Sequence, residues 1–144
     1  MVADFGSAKV HATHAGQATT RGGGTEGWQS PEVIVGDGAT TASDIFSLGL
    51  IFYFVLTRGH HPFGEDPRKR GKAMMRFAIT DEDDADDADE SLRLRVTEAL
   101  RDFSTPPAAA EAILPMLRLL PGSRPSVEDV LKSRLLLDGC AFSV

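Results

Sequence analysis

Residues 43–56 read SDIFSLGLIFYFVL, and this segment is the strongest indication of the fold. Almost every position from Ile45 to Leu56 is apolar, which places apolar side chains on all sides of the helix that such a run forms. Ser43 or a neighbouring threonine can cap its N-terminus. The longest apolar stretch, Leu48 to Leu56, is less than half of the roughly 20 residues needed to span a bilayer. We therefore predict a central, buried helix.

Shorter amphipathic segments follow this helix. Pro67 in a first helical turn, with Met74, Met75 and Phe77 after it, predicts a short helix that the next acidic run ends. One face of a further helix is formed by residues at helical spacing, namely Leu92, Val96, Ala99, Leu100 and Phe103.

The rest of the chain completes a mainly α prediction. After Pro106 and Pro107, a third stretch passes through Ile113, Leu114, Leu117 and Leu120 to the turn Pro121-Gly122-Ser123. Ser126 and Asp129 are spaced like a capping box before a last helix, predicted through Leu131 to Leu136. The first thirty residues, rich in Gly, Thr, His and Ala, predict a long loop.

The charge of the chain is concentrated in one place. The net charge is −6, but eight of the 21 acidic residues lie between Asp81 and Glu90, and the remainder has 13 acids against 15 bases, or +2. We expect this acidic run to be a solvated, mobile insertion, or alternatively a docking tail for a basic partner. No basic stripe of the kind that nucleic-acid binding needs stands out, so we expect no direct nucleic-acid partner.

Cysteine usage and the N-terminus bear on location. Cys140 is the only cysteine, which excludes an internal disulfide framework and a C-x-x-C zinc spacing. No charged segment followed by an apolar one opens the chain, so we expect no signal peptide. Together with the lack of a predicted transmembrane segment, these features predict a cytoplasmic location.

Five motifs occur in a recognisable order. They are Asp4-Phe5-Gly6, Gly24-Thr25-Glu26-Gly27-Trp28-Gln29-Ser30-Pro31-Glu32, Ser43-Asp44-Ile45-Phe46-Ser47-Leu48-Gly49, His61-Pro62-Phe63-Gly64 and Arg124-Pro125-Ser126. This set resembles the C-terminal lobe of a serine/threonine protein kinase, most like the inositol-requiring endoplasmic-reticulum stress sensors, which combine a kinase with a ribonuclease. The resemblance implies the helical lobe of the α+β kinase fold.

The resemblance also implies roles for the first motifs. Asp4 would hold Mg²⁺ against the phosphates of ATP, and Gly6 would let the backbone turn sharply; the alternative for Asp4 is a loop carboxylate or helix cap. Thr25 and Trp28 would form the platform for a protein substrate, although Thr25 has the alternative of a plain loop threonine. Candidate phosphorylation sites in the loop are Ser7, Thr13, Thr19 and Thr20, with Thr19 and Thr20 preferred.

Three further residues have structural roles in the family. Glu32 and Arg124 would form a buried ion pair that braces the substrate loop. Asp44 would accept backbone N–H groups of the catalytic loop, which is compatible with its being an acid at a helix N-terminus. We expect His60 and His61 to pack in a loop and not to bind metal.

The chain departs from the family in several places. It contains no His-Arg-Asp and no Val-Ala-x-Lys, hence no catalytic residue, and it begins three residues before Asp4. Ser30 replaces the usual alanine before Pro31, and Ser133-Arg134-Leu135 replaces His-Pro-Phe near the end.

We therefore expect a partial kinase domain over residues 1–144, with an activation segment (1–32), a helical lobe (33–137) and a tail (138–144). The N-terminal lobe would be absent and would be a partner, together with protein substrates. ATP and Mg²⁺ would serve the full-length form and bind this chain only weakly. The full-length form would be anchored in the endoplasmic reticulum membrane if the resemblance to the stress sensors holds. The alternative function is a non-catalytic kinase-lobe interaction module or pseudokinase fragment.

Overall fold

The computed structural model describes residues 25–79 and 84–133. Within these ranges the chain is helical and contains no strand. The helices are α1 (Pro31–Val35), α2 (Thr41–Leu56), α3 (Pro67–Ala78), α4 (Ala85–Asp102), α5 (Pro107–Met116), a 3-10 helix (Pro121–Ser123) and α6 (Val127–Leu131). The fold class predicted from the sequence is therefore confirmed.

Helix α2 lies at the centre, as the all-round apolar pattern predicts. Phe46 and Leu50 have no exposed surface. The helix packs closely on α5 because Gly49 has no side chain: a Cβ there would lie 3.0 Å from Met116 Cβ. Its start is fixed by the Thr40 N–H, which donates to Ser43 Oγ at 2.9 Å. Both residues that the sequence suggested for the cap take part.

The core is built from one face of each longer helix. The side chains that pack with those of α2 are Met74 and Phe77 of α3, Leu92, Val96 and Leu100 of α4, and Ile113 of α5 with Leu117 directly after it. The predicted faces of the second and third stretches contain Leu92, Val96, Leu100, Ile113 and Leu117, and these residues are confirmed as core. Met75, also named in the predicted α3 stretch, is 41% exposed, and Leu120, named in the third stretch, lies beyond the end of α5 and is 39% exposed.

The acidic run differs from the prediction. Its second half is not an insertion, because α4 begins at Ala85 and includes Asp86, Asp87 and Glu90 in its first turns. Carboxylates are favourable there since the N-terminus of a helix dipole is positive. Asp89 also makes a tertiary contact: its Oδ1 accepts the Leu119 N–H at 2.7 Å. Part of the run is therefore structural.

The last helix is shorter than predicted. It begins with the predicted capping box, in which Ser126 Oγ accepts the Asp129 N–H at 3.2 Å and Asp129 Oδ2 accepts the Ser126 N–H at 3.1 Å. It ends at Leu131, with Lys132 as its C-cap. In the described ranges, no helix combines the length and apolar content needed to cross a membrane.

Candidate functional site

The segment before α1 is held in a defined turn. The Trp28 N–H donates to the Thr25 carbonyl at 3.1 Å. Gly27 adopts a left-handed backbone with φ 86°, and a Cβ there would lie 3.4 Å from Arg70. Glycine relieves the strain of this conformation. Ser47 Oγ of α2 donates to the Trp28 carbonyl at 2.8 Å, so the turn is tied to the central helix.

The indole of Trp28 is anchored by two neighbouring rings. It meets Phe54 edge-on at 5.3 Å between centroids, and His61 at 5.0 Å in the same manner. Aromatic pairs favour this geometry because the positive edge of one ring faces the negative face of the other. Trp28 therefore has a fixed, half-buried position.

The two histidines pack, as predicted. His61 is buried and its Nδ1 accepts the Phe63 N–H at 3.2 Å. Burial, and then the charge of Arg70, lower the pKa of His61 to about 4, so the ring is neutral at pH 7. The His60 ring lies against Phe103 in a tilted arrangement, with 4.9 Å between the ring centroids. In the part of the chain that the structure describes, no group of three potential ligands could hold a metal ion.

Glu32 and Arg124 lie in direct contact, although 92 residues separate them. Arg124 Nη1 donates to Glu32 Oε1 at 2.8 Å, and Nη2 donates to Oε2 at 2.9 Å. The contact is thus two-pronged, as a planar guanidinium favours. The Arg124 side chain is fully buried and that of Glu32 is 10% exposed.

All five N–H groups of the Arg124 guanidinium have an acceptor. Besides the two carboxylate contacts, Nη1 donates to the Ala42 carbonyl at 2.9 Å, and Nη2 donates to that of Leu119 at 3.0 Å. Nε donates to the Arg118 carbonyl at 2.8 Å. The guanidinium also lies 4.9 Å from the centroid of Phe46. Arg124 therefore joins α1, the start of α2 and the loop after α5.

Ser43 is a third member of this cluster that sequence reasoning assigned only to a helix cap. Its Oγ donates to Glu32 Oε1 at 2.6 Å. Burial acts to raise the pKa of Glu32, but the hydrogen bonds from Arg124 and Ser43 outweigh it, so the pKa lies below its usual 4.5. The carboxylate is therefore charged at neutral pH.

A groove of about 500 Å³ opens beside this cluster. It is lined by Thr25, Trp28, Gln29, Ser30, Val33, Ala39, Ser43, Asp44, Ser47 and Ile51. The structure thus brings Thr25, Trp28 and Asp44 together, with Thr25 and Asp44 exposed. Asp4, Gly6, Ser7, Thr13, Thr19 and Thr20 lie outside the described residues.

Comparison with known proteins identifies the family of the chain. The profile of the protein kinase domain matches residues 1–136. The chain belongs to the protein kinase domain family. This kinase-family chain is 31% identical to the serine/threonine-protein kinase/endoribonuclease IRE1 of Hypocrea jecorina, over 91% of the chain and 12% of that protein. It is 53% identical to human serine/threonine-protein kinase/endoribonuclease IRE2, over 29% of the chain and 5% of that protein.

Another similar protein is the sensor for unfolded proteins in the ER ire1 of Schizosaccharomyces pombe, 28% identical over 96% of the chain and 13% of that protein. The kinase-family chain thus spans only about 5–13% of the length of the relatives named here. Similarity therefore concerns one part of these larger proteins.

Proposed function

We propose that this chain supplies the substrate-facing part of a serine/threonine protein kinase that acts as a sensor of unfolded proteins. Protein kinases use ATP and Mg²⁺ to phosphorylate protein substrates, and in the full-length form this chain would help to position such a substrate. We divide it into an activation segment (1–32), a helical lobe (33–137) and a tail (138–144). The family name supports the activity, and the name of the Schizosaccharomyces pombe relative, a sensor for unfolded proteins in the ER, supports the sensor role. We propose that the parent protein is anchored in the endoplasmic reticulum membrane.

One observation carries the proposal: the turn that bears Thr25 and Trp28 is clamped to the helical body on both sides. Ser47 holds the Trp28 carbonyl at 2.8 Å, and Arg124 holds Glu32 through two hydrogen bonds. A catalytic platform requires this kind of rigidity, because small displacements of substrate reduce the rate steeply. We propose that Thr25 and Trp28 contact the substrate.

The groove beside the platform is the proposed docking position of the catalytic loop. Asp44, at the first turn of α2, is exposed there and can accept backbone N–H groups. Helix α2 also presents Ile51 and Val55 to solvent, each 48% exposed. An exposed apolar face on an otherwise buried helix is typical of a contact surface. We propose that the N-terminal lobe and catalytic loop of the parent kinase cover it.

The magnesium proposal rests on Asp4 alone, which lies outside the described residues. The described part has no three-ligand cluster for a metal, so the structure offers no second candidate. When bound, Mg²⁺ neutralises phosphate charge during transfer. Gly6 as a hinge beside Asp4, and Ser7, Thr19 and Thr20 as phosphorylation sites, likewise remain proposals.

A chimaera tests the function. This chain would replace the matching segment of the Hypocrea jecorina kinase, and transfer of labelled phosphate to a generic protein substrate would be measured. We expect transfer that Asp4→Asn abolishes, and none from the 144 residues alone, since their sequence has no His-Arg-Asp. A chimaera that unfolds cooperatively but transfers no phosphate, while the parent kinase does, would favour the interaction module or pseudokinase fragment.

A second arm tests the sensor role. The same replacement would be made in the Schizosaccharomyces pombe sensor, and growth would be followed under conditions that unfold proteins in the endoplasmic reticulum. We expect growth equal to wild type with the intact chain and a loss of growth with Asp4→Asn. Growth that is lost with both versions, despite phosphate transfer by the chimaera, would refute the sensor type while keeping the kinase.

A further inference from the structure

The outward face of α3 is strongly basic. Helix α3 reads PRKRGKAMMRFA and contains no acidic residue. Arg68, Lys72 and Arg76 recur every four residues, so they lie along one side of the helix, and all three are exposed. Lys69, with 84% of its side chain exposed, adds a fourth cation. We call Arg68, Lys69, Lys72 and Arg76 the basic face.

Large apolar side chains lie within the basic face. Met75 is 41% exposed and Ile79, directly after the helix, is 63% exposed. The inward side of α3 is occupied by Met74 and Phe77, which are buried in the core. The exposed apolar side chains are therefore additional to those that hold the helix in place. A surface that combines cations with exposed apolar groups is suited to a partner with carboxylates and apolar side chains of its own.

The basic face lies next to the proposed substrate platform. A Cβ at Gly71 would lie 2.6 Å from Glu26 Oε1, so α3 contacts the turn that carries Thr25 and Trp28. Arg70, on the buried side of α3, donates from Nε to the Gly64 carbonyl at 2.7 Å. The orientation of the helix beside the turn is thus fixed.

The charges of the basic face are only partly compensated within the described residues. Asp66 and Glu26 are among the carboxylates that lie beside α3, and Arg76 also takes part in an interaction. Asp66 is 3.9 Å from Lys69 and also accepts the Arg68 N–H at 3.0 Å, and Glu26 lies beside Gly71. The side chains of Arg68 and Lys72 have no partner in the parts of the chain that are described. An incoming acidic group therefore meets available cations.

From these observations we propose that the basic face binds an acidic segment of the protein substrate, with apolar side chains that cover Met75 and Ile79. This inference rests on the proposed function, because it names the class of substrate that the kinase would take. The net charge does not reveal this basic face, because outside the acidic run 13 acidic residues nearly balance the 15 basic ones. Five of those 15 basic residues are in α3. An anionic membrane is the less favoured partner, because the main apolar face of α3 is already buried.

Binding would be measured without ATP, so that it does not depend on catalysis. The probe is a fluorescein-labelled peptide rich in glutamate, with leucines interspersed, and its anisotropy is followed as the 144-residue chain is added. We expect Arg68→Glu with Lys72→Glu to weaken binding by about tenfold, because each exposed pair contributes little by itself. Binding should also weaken as salt increases.

Matched controls identify the surface. Arg101→Glu with Lys132→Glu makes the same change in net charge at exposed positions on α4 and after α6, and we expect less than a twofold effect. Met75→Ser with Ile79→Ser should weaken binding at unchanged charge. A glutamine version of the peptide should not bind. Far-ultraviolet circular dichroism checks that each variant is folded.

Several results would overturn the inference. Equal loss with both charge-reversal pairs would mean that only net charge matters, and binding to anionic phosphatidylserine vesicles but not to the peptide would assign the face to a membrane. Failure of the proposed kinase function would be seen separately in the chimaera. If the chimaera phosphorylates an acidic peptide no better than its glutamine version, the face does not select substrate.

Discussion

The buried ion pair between Glu32 and Arg124 provides the sharpest test of this structure. Replacing Arg124 with Met removes the partner of a carboxylate that is only 10% exposed and leaves the carbonyls of Ala42, Arg118 and Leu119 without that donor. Breaking a buried pair on one side costs about 3–5 kcal/mol. We expect Arg124→Met to lie at the upper end of this range.

Glu32→Gln should cost less, because the amide oxygen still accepts one hydrogen bond while the charge is lost. Both costs are a large fraction of the stability of a domain of this size, roughly 5–15 kcal/mol. Arg124→Lys should also be destabilising, because an ammonium group has three donors and cannot replace five in a plane. The double variant Glu32→Gln with Arg124→Met should cost less than the sum of the single changes.

Urea unfolding followed by far-ultraviolet circular dichroism at pH 7 measures the free energy of unfolding. It would be determined for the wild type, the two single variants and the double variant, which together give the coupling energy of the pair. The matched control is Glu90 with Arg93, also a two-pronged pair, at 2.6 Å for each contact, but about half exposed on both sides. We expect its coupling to be much smaller, because solvent screens it. A coupling energy near zero for Glu32 with Arg124, or one no larger than the control, would refute the reasoning.

The pH dependence gives a second check on the same pair. The pKa of Glu32 is lower in the folded chain than its usual 4.5, so its contribution to stability is present above that pH and is lost as the pH falls through the folded value. Glu32→Gln should remove this part of the acid destabilisation. The free energy of unfolding would be measured by urea at several pH values. If it decreased as steeply with falling pH in Glu32→Gln as in the wild type, the assigned charge state would be contradicted.

Three other predictions concern two helix glycines, the buried histidine and the exposed face of α2. In urea unfolding, Gly49→Ala should destabilise the chain by about 1–2 kcal/mol, because the new Cβ would lie 3.0 Å from Met116 Cβ. Gly71→Ala should be neutral or stabilise the chain by up to about 1 kcal/mol, because its Cβ would meet only the movable carboxylate of Glu26. Because the pKa of His61 falls from 6.5 to about 4 on folding, the stability of the chain should decrease as the pH falls from 6.5 towards 4. His61→Asn retains a hydrogen-bond acceptor but does not titrate, so it should reduce this dependence on pH in thermal unfolding scans. Ile51→Glu with Val55→Glu should reduce the binding of a hydrophobic dye to the 144-residue chain while its helix content is unchanged; dye binding equal to wild type would show that α2 is already covered.

The helices were predictable because their physical cause is local. Apolar spacing marks the inward faces of α3 and α4, and Pro67 marks a helix start through its fixed backbone angle. The partner of Glu32 was not predictable in this way, since 92 residues separate it from Arg124 and many arrangements of the helices would leave them apart. Only the resemblance to kinases suggested the pair.

Two structural residues were missed because their local signals point elsewhere. Ser43 stands where a helix cap is expected, and nothing in the sequence shows that its hydroxyl also donates to Glu32 at 2.6 Å. Asp89 belongs to a charge run, which usually indicates a solvated segment. Its contact with the Leu119 N–H bridges 30 residues, and burial raises its pKa, a shift that a fully solvated carboxylate would not show.

The position of Arg124 explains why the ion pair matters for the groove as well as for stability. Its hydrogen bonds reach the Ala42 carbonyl in the first turn of α2, two carbonyls after α5, and Glu32 directly after the turn that carries Thr25 and Trp28. Together with the contact of Ser47 to the Trp28 carbonyl, this guanidinium positions the proposed platform relative to Asp44. A change at Arg124 that the chain survives should therefore still displace Thr25 from Asp44, so that in the chimaera the rate of phosphate transfer falls even where the folded fraction does not.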